Sequence, residues 1–288
     1  MVRVSRILRD YREAGAVNEL LALWGFVDDG VFLTKAGHVG VAFRLRGVDT
    51  DGLTHAQRRA LCRRMEAAFR LLDERCRVYQ YLIKRTVEPF AIPPCMQPIA
   101  REALARRTMY LNGRRESLYR LALFLVLVYE PPLRRRTSTT LRETGRRPME
   151  ALRAWLSAPR TVSLLESELD GALRDLHHRA EALQTQIGAL GPQRLSADEA
   201  FALFRQLVNY DETVLGATPP TPAAHLDYFA ADSAIECHRD HLLVGSRRVK
   251  VLSMKEPPAQ TFAQMLSDLL AVPGEFIACL EWQRLAAD

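Results

Sequence analysis

The longest uninterrupted apolar run in the sequence is Leu121–Tyr129, and Glu130, Pro131 and Pro132 follow it directly. The run is far shorter than the about 20 apolar residues that a membrane-spanning helix needs. A run rich in Leu, Val and Phe that is stopped by prolines is typical of a central strand buried on both faces of a sheet. A short buried helix has the same periodicity, so the run by itself leaves that alternative open.

A hairpin is predicted near the N-terminus. Apolar residues alternate with Gly, Ala and Arg over Val39–Leu45, which is the pattern of a half-buried strand. We expect Val31–Leu33 to pair with it across a turn around Lys35 to Gly37. The remaining predicted strands are Val78–Ile83, Ala234–Cys237, Leu242–Val244, Val249–Met254 and a last buried strand at Phe276–Leu280. Gly245-Ser246 fits a type II′ turn between two of them.

Three helices carry a capping-box spacing, in which a hydroxyl and an amide or carboxylate satisfy the first free backbone N–H groups. The pairs are Thr54 with Gln57, Ser196 with Glu199, and Thr261 with Gln264. Two further helices are predicted, one after a proline-rich segment and one with an apolar stripe. The five predicted helices end near Arg75, Leu118, Leu190, Asn209 and Leu270, and the second of them starts at about Ile99.

The helix that ends near Leu190 has a near-heptad apolar stripe, listed here in full: Leu165, Leu169, Ala172, Leu176, Ala180, Leu183, Ile187 and Leu190. Such a stripe is typical of a helix packed on its own domain or of one that binds a partner helix, and both interpretations stay open. The elements together predict an α+β fold, with mixed sheets from strand–helix–strand units and a helical segment at about 148–210. Prolines at 219, 220 and 222 divide the chain into predicted regions 1–218 and 223–288.

Charge is distributed unevenly along the chain, although the net charge is only +6. Residues 101–147 contain twelve Arg and four Glu, whereas residues 161–240 contain thirteen acidic residues and five Arg. Such asymmetry predicts surfaces for charged partners. The candidate interaction surface consists of Arg101, Arg106, Arg107, Arg114, Arg115, Arg134, Arg135, Arg136, Arg146 and Arg147. The alternative for the first five is the solvated face of a helix.

The sequence lacks the motifs of common catalytic sites. A phosphate-binding loop needs GxxxxGK[ST], and none of the four lysines follows a glycine. There is no GxGxxG, HExxH or GxSxG pattern either. In the run ECHRDH, a strand would place Cys237 and His241 on one face. These residues are either ligands of a metal site or simply exposed residues of the strand. We predict no catalytic, cofactor-binding or metal-binding residue in this chain.

Composition suggests a cytoplasmic location. Apolar residues make up 48% of the chain, enough to form a core and to exclude a disordered or low-complexity protein. The five cysteines (Cys62, Cys76, Cys95, Cys237 and Cys279) are scattered and odd in number, which argues against a disulfide framework. The arginine-rich start is interrupted by Asp10 and Glu13 before a long apolar stretch, so we expect no signal peptide.

Four stretches carry a resemblance to a known family: FRLRGVDTDGLT from Phe43, FRLLDERCRVYQYLIKR from Phe69, LFLVLVYEPP from Leu123 and ECHRDHLLVGSRRVKVLSMKEPP from Glu236. They resemble the N-terminal domain of the CagE/TrbE/VirB family, the ATPases of type IV secretion and conjugal transfer, over most of the chain. Full-length members continue into a RecA-like ATPase domain, so the resemblance implies ATP and Mg²⁺ only for such a member. It also implies that this chain is an N-terminal fragment or a truncated gene product.

The resemblance implies a domain that docks the motor on the cytoplasmic side of the inner membrane. Its expected partners are inner-membrane secretion-channel components, further copies of itself or a C-terminal ATPase domain, with weak non-specific contact to nucleic acid or an anionic membrane. The leading hypothesis is therefore a non-catalytic assembly and docking domain. The alternative is a basic nucleic-acid-binding module that acts on transferred DNA. A free-standing enzyme of an unrecognised type is the third.

Overall fold

The computed structural model describes residues 17–49, 51–94, 96–131, 158–211, 214–215, 220–254 and 267–285. Within these residues the chain forms an antiparallel seven-stranded sheet with helices on both faces, together with a separate three-stranded sheet. The α+β fold class predicted from the sequence is confirmed. The division into regions 1–218 and 223–288 stays a prediction.

The strands are β1 (Leu23–Asp28), β2 (Val31–Thr34), β3 (Val39–Leu45), β4 (Cys76–Thr86), β5 (Tyr119–Tyr129), β6 (Pro192–Arg194), β7 (Ile235–Cys237), β8 (Leu242–Val244), β9 (Arg247–Val249) and β10 (Phe276–Gln283). The helices are α1 (Val17–Leu20), α2 (His55–Arg70), α3 (Pro98–Gly113), α4 (Ala158–Gln186), α5 (Ala197–Val208), α6 (Leu226–Ala230) and α7 (Ser267–Ala271). Short 3₁₀ turns follow α3 and α4.

The large sheet has the strand order β1-β2-β3-β5-β4-β10, and β6 adds to β3 beside β2. The apolar run of the sequence is the central strand β5, which pairs with β3 on one side and β4 on the other. Every residue from Phe124 to Tyr129 is buried. Leu125 and Leu127 face α2 and α4, whereas Phe124 and Val126 face α5. The prediction of a strand buried on both faces is therefore confirmed, and the helix alternative is excluded.

Glycine shapes the packing at Gly40 on β3. A Cβ atom at this position would lie 2.4 Å from the ring of Phe32 and 2.9 Å from the carbonyl oxygen of Leu127. The absence of a side chain therefore allows the Phe32 ring to lie over Gly40 on the α5 face of the sheet, where it meets Phe204 edge-to-face at 5.1 Å.

Both described capping boxes are present. The Thr54 hydroxyl accepts from the Gln57 N–H and Ser196 accepts from Glu199 in the same way, with the reciprocal bonds also made. Helix α2 ends at Arg70 rather than at the predicted Arg75. The reason is Asp73, whose carboxylate accepts the N–H of Arg75 and whose carbonyl accepts the N–H of Cys76, which forms a turn into β4. The second predicted helix also ends early, at Gly113, and a 3₁₀ turn follows it.

The long helix α4 packs on its own domain. Ala172, Leu176, Ala180 and Leu183 are buried against the sheet and α2. The interpretation that this helix packs on its own domain is therefore confirmed for the part of α4 whose side chains are described, which begins at Glu168.

A polar contact fixes α4 to the same face. Arg179 donates to Asp73 at 2.8 Å, and its guanidinium carbon lies 4.4 Å from the centre of the Tyr129 ring. The Tyr129 hydroxyl in turn donates to Asp175 at 3.0 Å. Burial alone raises the pKa of the Asp73 carboxyl, but the hydrogen bond from Arg179 and the other donors outweigh it and the pKa is lowered.

The C-terminal predictions need correction. The strand expected over Val249–Met254 is β9, which covers only Arg247–Val249, and the run ECHRDH leaves the strand after Cys237. The turn at Gly245-Ser246 is confirmed, since Gly245 has a φ of 59°. The capping box at Thr261 and Gln264 lies outside the described residues.

The last strand is longer than predicted and is not buried. Strand β10 covers Phe276–Gln283, and β4 is its one partner among the described residues, so that it forms one edge of the described sheet. Its sequence is as apolar as that of a central strand, and its position at the edge follows from pairing with β4, which the local pattern does not specify.

The segment before β10 is anchored to the end of β4 by two charged residues. Lys84 is buried and donates to the carbonyl oxygens of Leu270 and Val272, at 2.8 and 2.6 Å, at the C-terminal end of α7. Glu275 accepts from the N–H of Thr86 at 2.9 Å and pairs with Arg85 at 3.3 Å. Burial by itself raises the pKa of Glu275, but the bonds from Thr86 and the charge of Arg85 outweigh it and hold the pKa below 4.5.

We predict that Glu275→Gln destabilises the protein at neutral pH by about 1–2 kcal/mol, since a charge-assisted hydrogen bond is lost. A carboxyl whose folded-state pKa is lowered contributes stability above its unfolded pKa and loses that contribution as the pH falls through the folded-state pKa. The difference between the variant and the wild type should therefore narrow below pH 4.5. Urea unfolding at a series of pH values measures it. Glu102→Gln, on the exposed face of α3, is the matched control, and a difference that does not depend on pH would contradict the assignment.

We also predict that Arg179→Met costs about 1–2 kcal/mol of unfolding free energy, because the partly buried contact to Asp73 is lost and the hydrocarbon stem only partly replaces the packing on Tyr129. Arg174→Met on the same helix is the control, since Arg174 is exposed and bonds only within its own helix. Thermal unfolding followed by circular dichroism compares them, and equal melting temperatures for the two variants would show that the contact contributes nothing.

Candidate docking surface

The large sheet carries a long insertion at one end of its central hairpin. Strands β4 and β5 pair without a register break from Cys76 opposite Tyr129 to Thr86 opposite Tyr119. The chain therefore leaves the sheet at Val87 and returns to it at Leu118. We call residues 87–118 the hairpin arm.

Side-chain and backbone bonds close the base of the hairpin arm. The N–H of Val87 donates to the carbonyl oxygen of Leu118 at 3.2 Å, and Arg115 Nε donates to the carbonyl of Val87 at 2.6 Å. Asn112 pairs with the backbone of Phe90 in both directions, at 2.8 Å as acceptor and 3.1 Å as donor. These bonds bring the start of the arm against the C-terminal turn of α3, so the insertion has a defined shape.

Helix α3 begins at a proline, which suits the first helical position because that N–H has no partner inside the helix. One stripe of it, formed by Ala100, Leu104, Thr108 and Leu111, is half-buried. None of its residues is buried, and none belongs to the hydrophobic core clusters of the described chain.

The other faces of the hairpin arm expose large apolar side chains. Ile99 is 86% exposed, Met109 is 75% exposed and Tyr110 is 57% exposed, and Met96 and Ile92 before the helix are exposed as well. Five large apolar side chains exposed within one short insertion make it a candidate interaction site. The sequence did not predict this surface, because these residues share no regular helical stripe and only the fold shows that no described segment covers them.

The predicted arginines that the structure describes fall into two groups, exposed and half-buried. Arg101, Arg106, Arg107 and Arg114 are exposed on α3 or at its end, among the apolar side chains just described. Arg106 pairs with Glu102 at 2.6 Å, and Arg114 lies 4.8 Å from the centre of the Tyr110 ring.

Arg115 differs, because it is half-buried and bonded to Val87, so it is part of the arm's base. The other predicted residues, Arg134, Arg135, Arg136, Arg146 and Arg147, lie outside the described residues.

A cleft of about 730 Å³ lies where the base of the hairpin arm meets α5. Its cationic lining residues are Arg85, Arg120 and Arg205. Arg205 is almost wholly buried and bonds to Asp232 and to the carbonyl oxygens of Phe229 and Val214. Since Arg85 pairs with Glu275, two of the three cations are neutralised within the fold. The cleft was not predicted, because its residues come from distant parts of the sequence.

The metal candidate at ECHRDH has a different arrangement from the one weighed in the sequence. His238 and His241 stack at 4.6 Å, because the N–H of His238 donates to the carbonyl of His241 in a turn between β7 and β8. His241 bonds to Asp240, and His238 lies 3.6 Å from Glu236. In the described part of the chain, no three His, Cys, Asp or Glu side chains are grouped so that they could hold a metal ion.

The described residues contain neither a group of Mg²⁺ ligands nor a helix that could span a membrane. The sequence has no Gly-Lys pair to form a phosphate-binding loop, and no group of metal ligands is available for Mg²⁺ in the described ranges. Among the helices of the described ranges, none has the length and apolar character to cross a bilayer.

A comparison with protein families identifies the part of the chain that contains the hairpin arm. Residues 30–137 match the family described as type IV secretion system ATPase VirB4/TrbE, N-terminal domain. The match includes β2 to β5 and the whole arm. No curated protein matches the chain. The resemblance noted in the sequence is confirmed over residues 30–137, which belong to the N-terminal domain family of the VirB4/TrbE type IV secretion system ATPases.

Proposed function

We propose that this chain is a non-catalytic assembly and docking domain of a type IV secretion ATPase, and that the hairpin arm is its docking surface. The observation that carries the proposal is α3, a helix of the family-matched region that exposes Ile99, Met109 and Tyr110 and buries none of its residues. Because none of its side chains is buried, this helix contributes little to the described core. Its exposed apolar side chains are explained best by contact with a partner.

The composition of the hairpin arm supports a protein partner. Met, Tyr and Arg are enriched at protein interfaces, whereas Lys and Glu are depleted. The arm contains five Arg and no Lys, with three Glu. Arg also carries a planar, weakly hydrated charge, so it is suited to an interface that excludes water. The net charge of +2 on the arm favours a partner surface that is apolar at its centre and acidic at its rim.

The proposed partners are inner-membrane components of the secretion channel, contacted from the cytoplasmic side. The family match supports partners within a secretion system, and the hairpin arm supplies a surface of the right character. ATP and Mg²⁺ are expected only for full-length members of the family. A nucleic-acid partner needs the arginines but not Ile99 or Met109, which provides a way to separate the two functions.

We predict that Ile99→Ser, Met109→Ser and Tyr110→Ser together weaken vesicle binding by at least about ten-fold. The vesicles are inner-membrane vesicles that contain channel components of a type IV secretion system. The reason is that apolar and aromatic anchors carry most of the energy of an interface. Arg106→Gln with Arg107→Gln should weaken binding by a few fold, more at low salt than at high salt. Co-sedimentation with vesicles measures both. Leu71→Ser, an exposed leucine at the end of α2, is the control.

Vesicles without channel components, vesicles of anionic lipid alone and duplex DNA serve as reference ligands. Equal binding to every kind of vesicle would show that the hairpin arm binds a lipid surface and not a protein partner. Tight DNA binding that is lost in the arginine variant and kept in the apolar variant would establish the nucleic-acid function instead. Wild-type binding by the apolar variant would overturn the role of the hairpin arm.

A further inference from the structure

The two edges of the large sheet differ in how they are protected. A strand edge presents unpaired backbone N–H and C=O groups, and proteins usually block such an edge with bulges, charges, prolines or a covering segment. Strand β1 is blocked in two of these ways. Its pairing with β2 has two register shifts, and residues 223–224 cross its outer side, where the N–H of Phe26 donates to the carbonyl of Ala223 at 2.9 Å.

Strand β10 has none of this protection among the described residues. It pairs with β4 over eight successive residues without a register break, and its described partners include no strand on the other side. It contains no Pro, Gly, Lys or Arg. Its first residues, Phe276 and Ile277, line a cleft of about 530 Å³ together with residues 247–252 and the end of β4.

The side chains of β10 also favour pairing. Leu280 is 57% exposed and lies on the same face as Trp282, whose ring stacks on Phe69 at 5.1 Å. Glu281 is the only charged residue of the strand, and it is 3.5 Å from Arg77 of the neighbouring β4. The edge therefore has no bulge, carries a single charged residue and is partly apolar.

This charge pattern suits a second copy of the same strand. An antiparallel strand can pair with its own copy about a twofold axis, which gives a closed dimer with identical patches. The midpoint of β10 lies between Cys279 and Leu280, so an axis at either residue gives the longest overlap. Glu281 then faces Ile277 or Cys279 of the other copy, and no like charges oppose each other.

We propose that the free edge of β10 pairs antiparallel with β10 of a second copy, so that the two seven-stranded sheets become one continuous sheet. The proposal does not depend on the hairpin arm, which lies at the far end of the β4–β5 hairpin from Cys76 and carries its own test. It assigns to β10 a surface for self-association that neither the family match nor the charge asymmetry of the sequence identifies.

The test is sedimentation of the full chain from about 1 µM to about 200 µM, the range in which a weak homodimer changes its population. Wild-type protein should shift from monomer to dimer, and Leu280→Lys should raise the dissociation constant by at least about ten-fold, because a lysine on each copy places like charges at the junction. Leu20→Lys is the control: Leu20 is an exposed leucine at the end of α1, just before β1 at the opposite edge of the sheet.

Two measurements that leave the sequence of β10 unchanged test the proposal even if Leu280→Lys fails to fold. Backbone amides of residues 276–283 should exchange more slowly as the protein concentration rises. In a background with serine at Cys62, Cys95 and Cys237, a short bismaleimide should link Cys279 to Cys279 of the second copy, since cross-strand neighbours lie about 5 Å apart.

A monomer at all concentrations would overturn the proposal. A dimer that persists in Leu280→Lys, or one that leaves the amides of β10 unprotected, would also overturn it. Loss of vesicle binding in the variants of the hairpin arm, with this dimer intact, would concern the docking function alone.

Discussion

The fold depends on the burial of β5 on both faces. Residues Phe124–Tyr129 supply alternate side chains to two cores, one closed by α2 and α4 and the other by α5. At about 25 cal/mol per Å² of apolar surface removed from water, a strand buried on both faces contributes more than any edge strand can. Its neighbours β3 and β4 are held in register by it, and the outer strands are positioned through them.

The central hairpin also determines where an interaction surface can lie. Since β4 and β5 stay paired up to Thr86 and Tyr119, the 87–118 insertion leaves the sheet at its end rather than at a face. The faces are already covered by helices, so the hairpin arm has little core left to join. Its apolar side chains therefore remain exposed on a well-anchored base, which is the arrangement expected of a surface that binds another protein.

The polar contacts of the fold act mainly at its joints. Arg179 joins α4 to the turn before β4, Lys84 and Glu275 join the C-terminal segment to the end of β4, and Arg205 joins α5 to the chain after α6. The three cations bond to carbonyl or carboxylate oxygens, and Glu275 accepts from the N–H of Thr86 and pairs with Arg85, so that these buried or partly buried charges all have partners. The exposed arginines of α3 lie outside these joints, and Arg106 among them pairs with Glu102 of the same helix.

Local patterns in the sequence determined the elements themselves: the alternation over Val39–Leu45, the capping boxes at Thr54 and Ser196, and the apolar run of β5 depend on neighbours close in sequence. The family was also recognisable from its sequence stretches. Only the tertiary structure decided which apolar segments are covered. Phe276–Gln283 is as apolar as a buried strand, yet it lies at an edge, and Ile99, Met109 and Tyr110 are exposed although their side chains would suit a core. The reason is physical: hydrophobicity drives a residue towards burial, but strand order and helix placement, set by pairings distant in sequence, determine how much buried space is available.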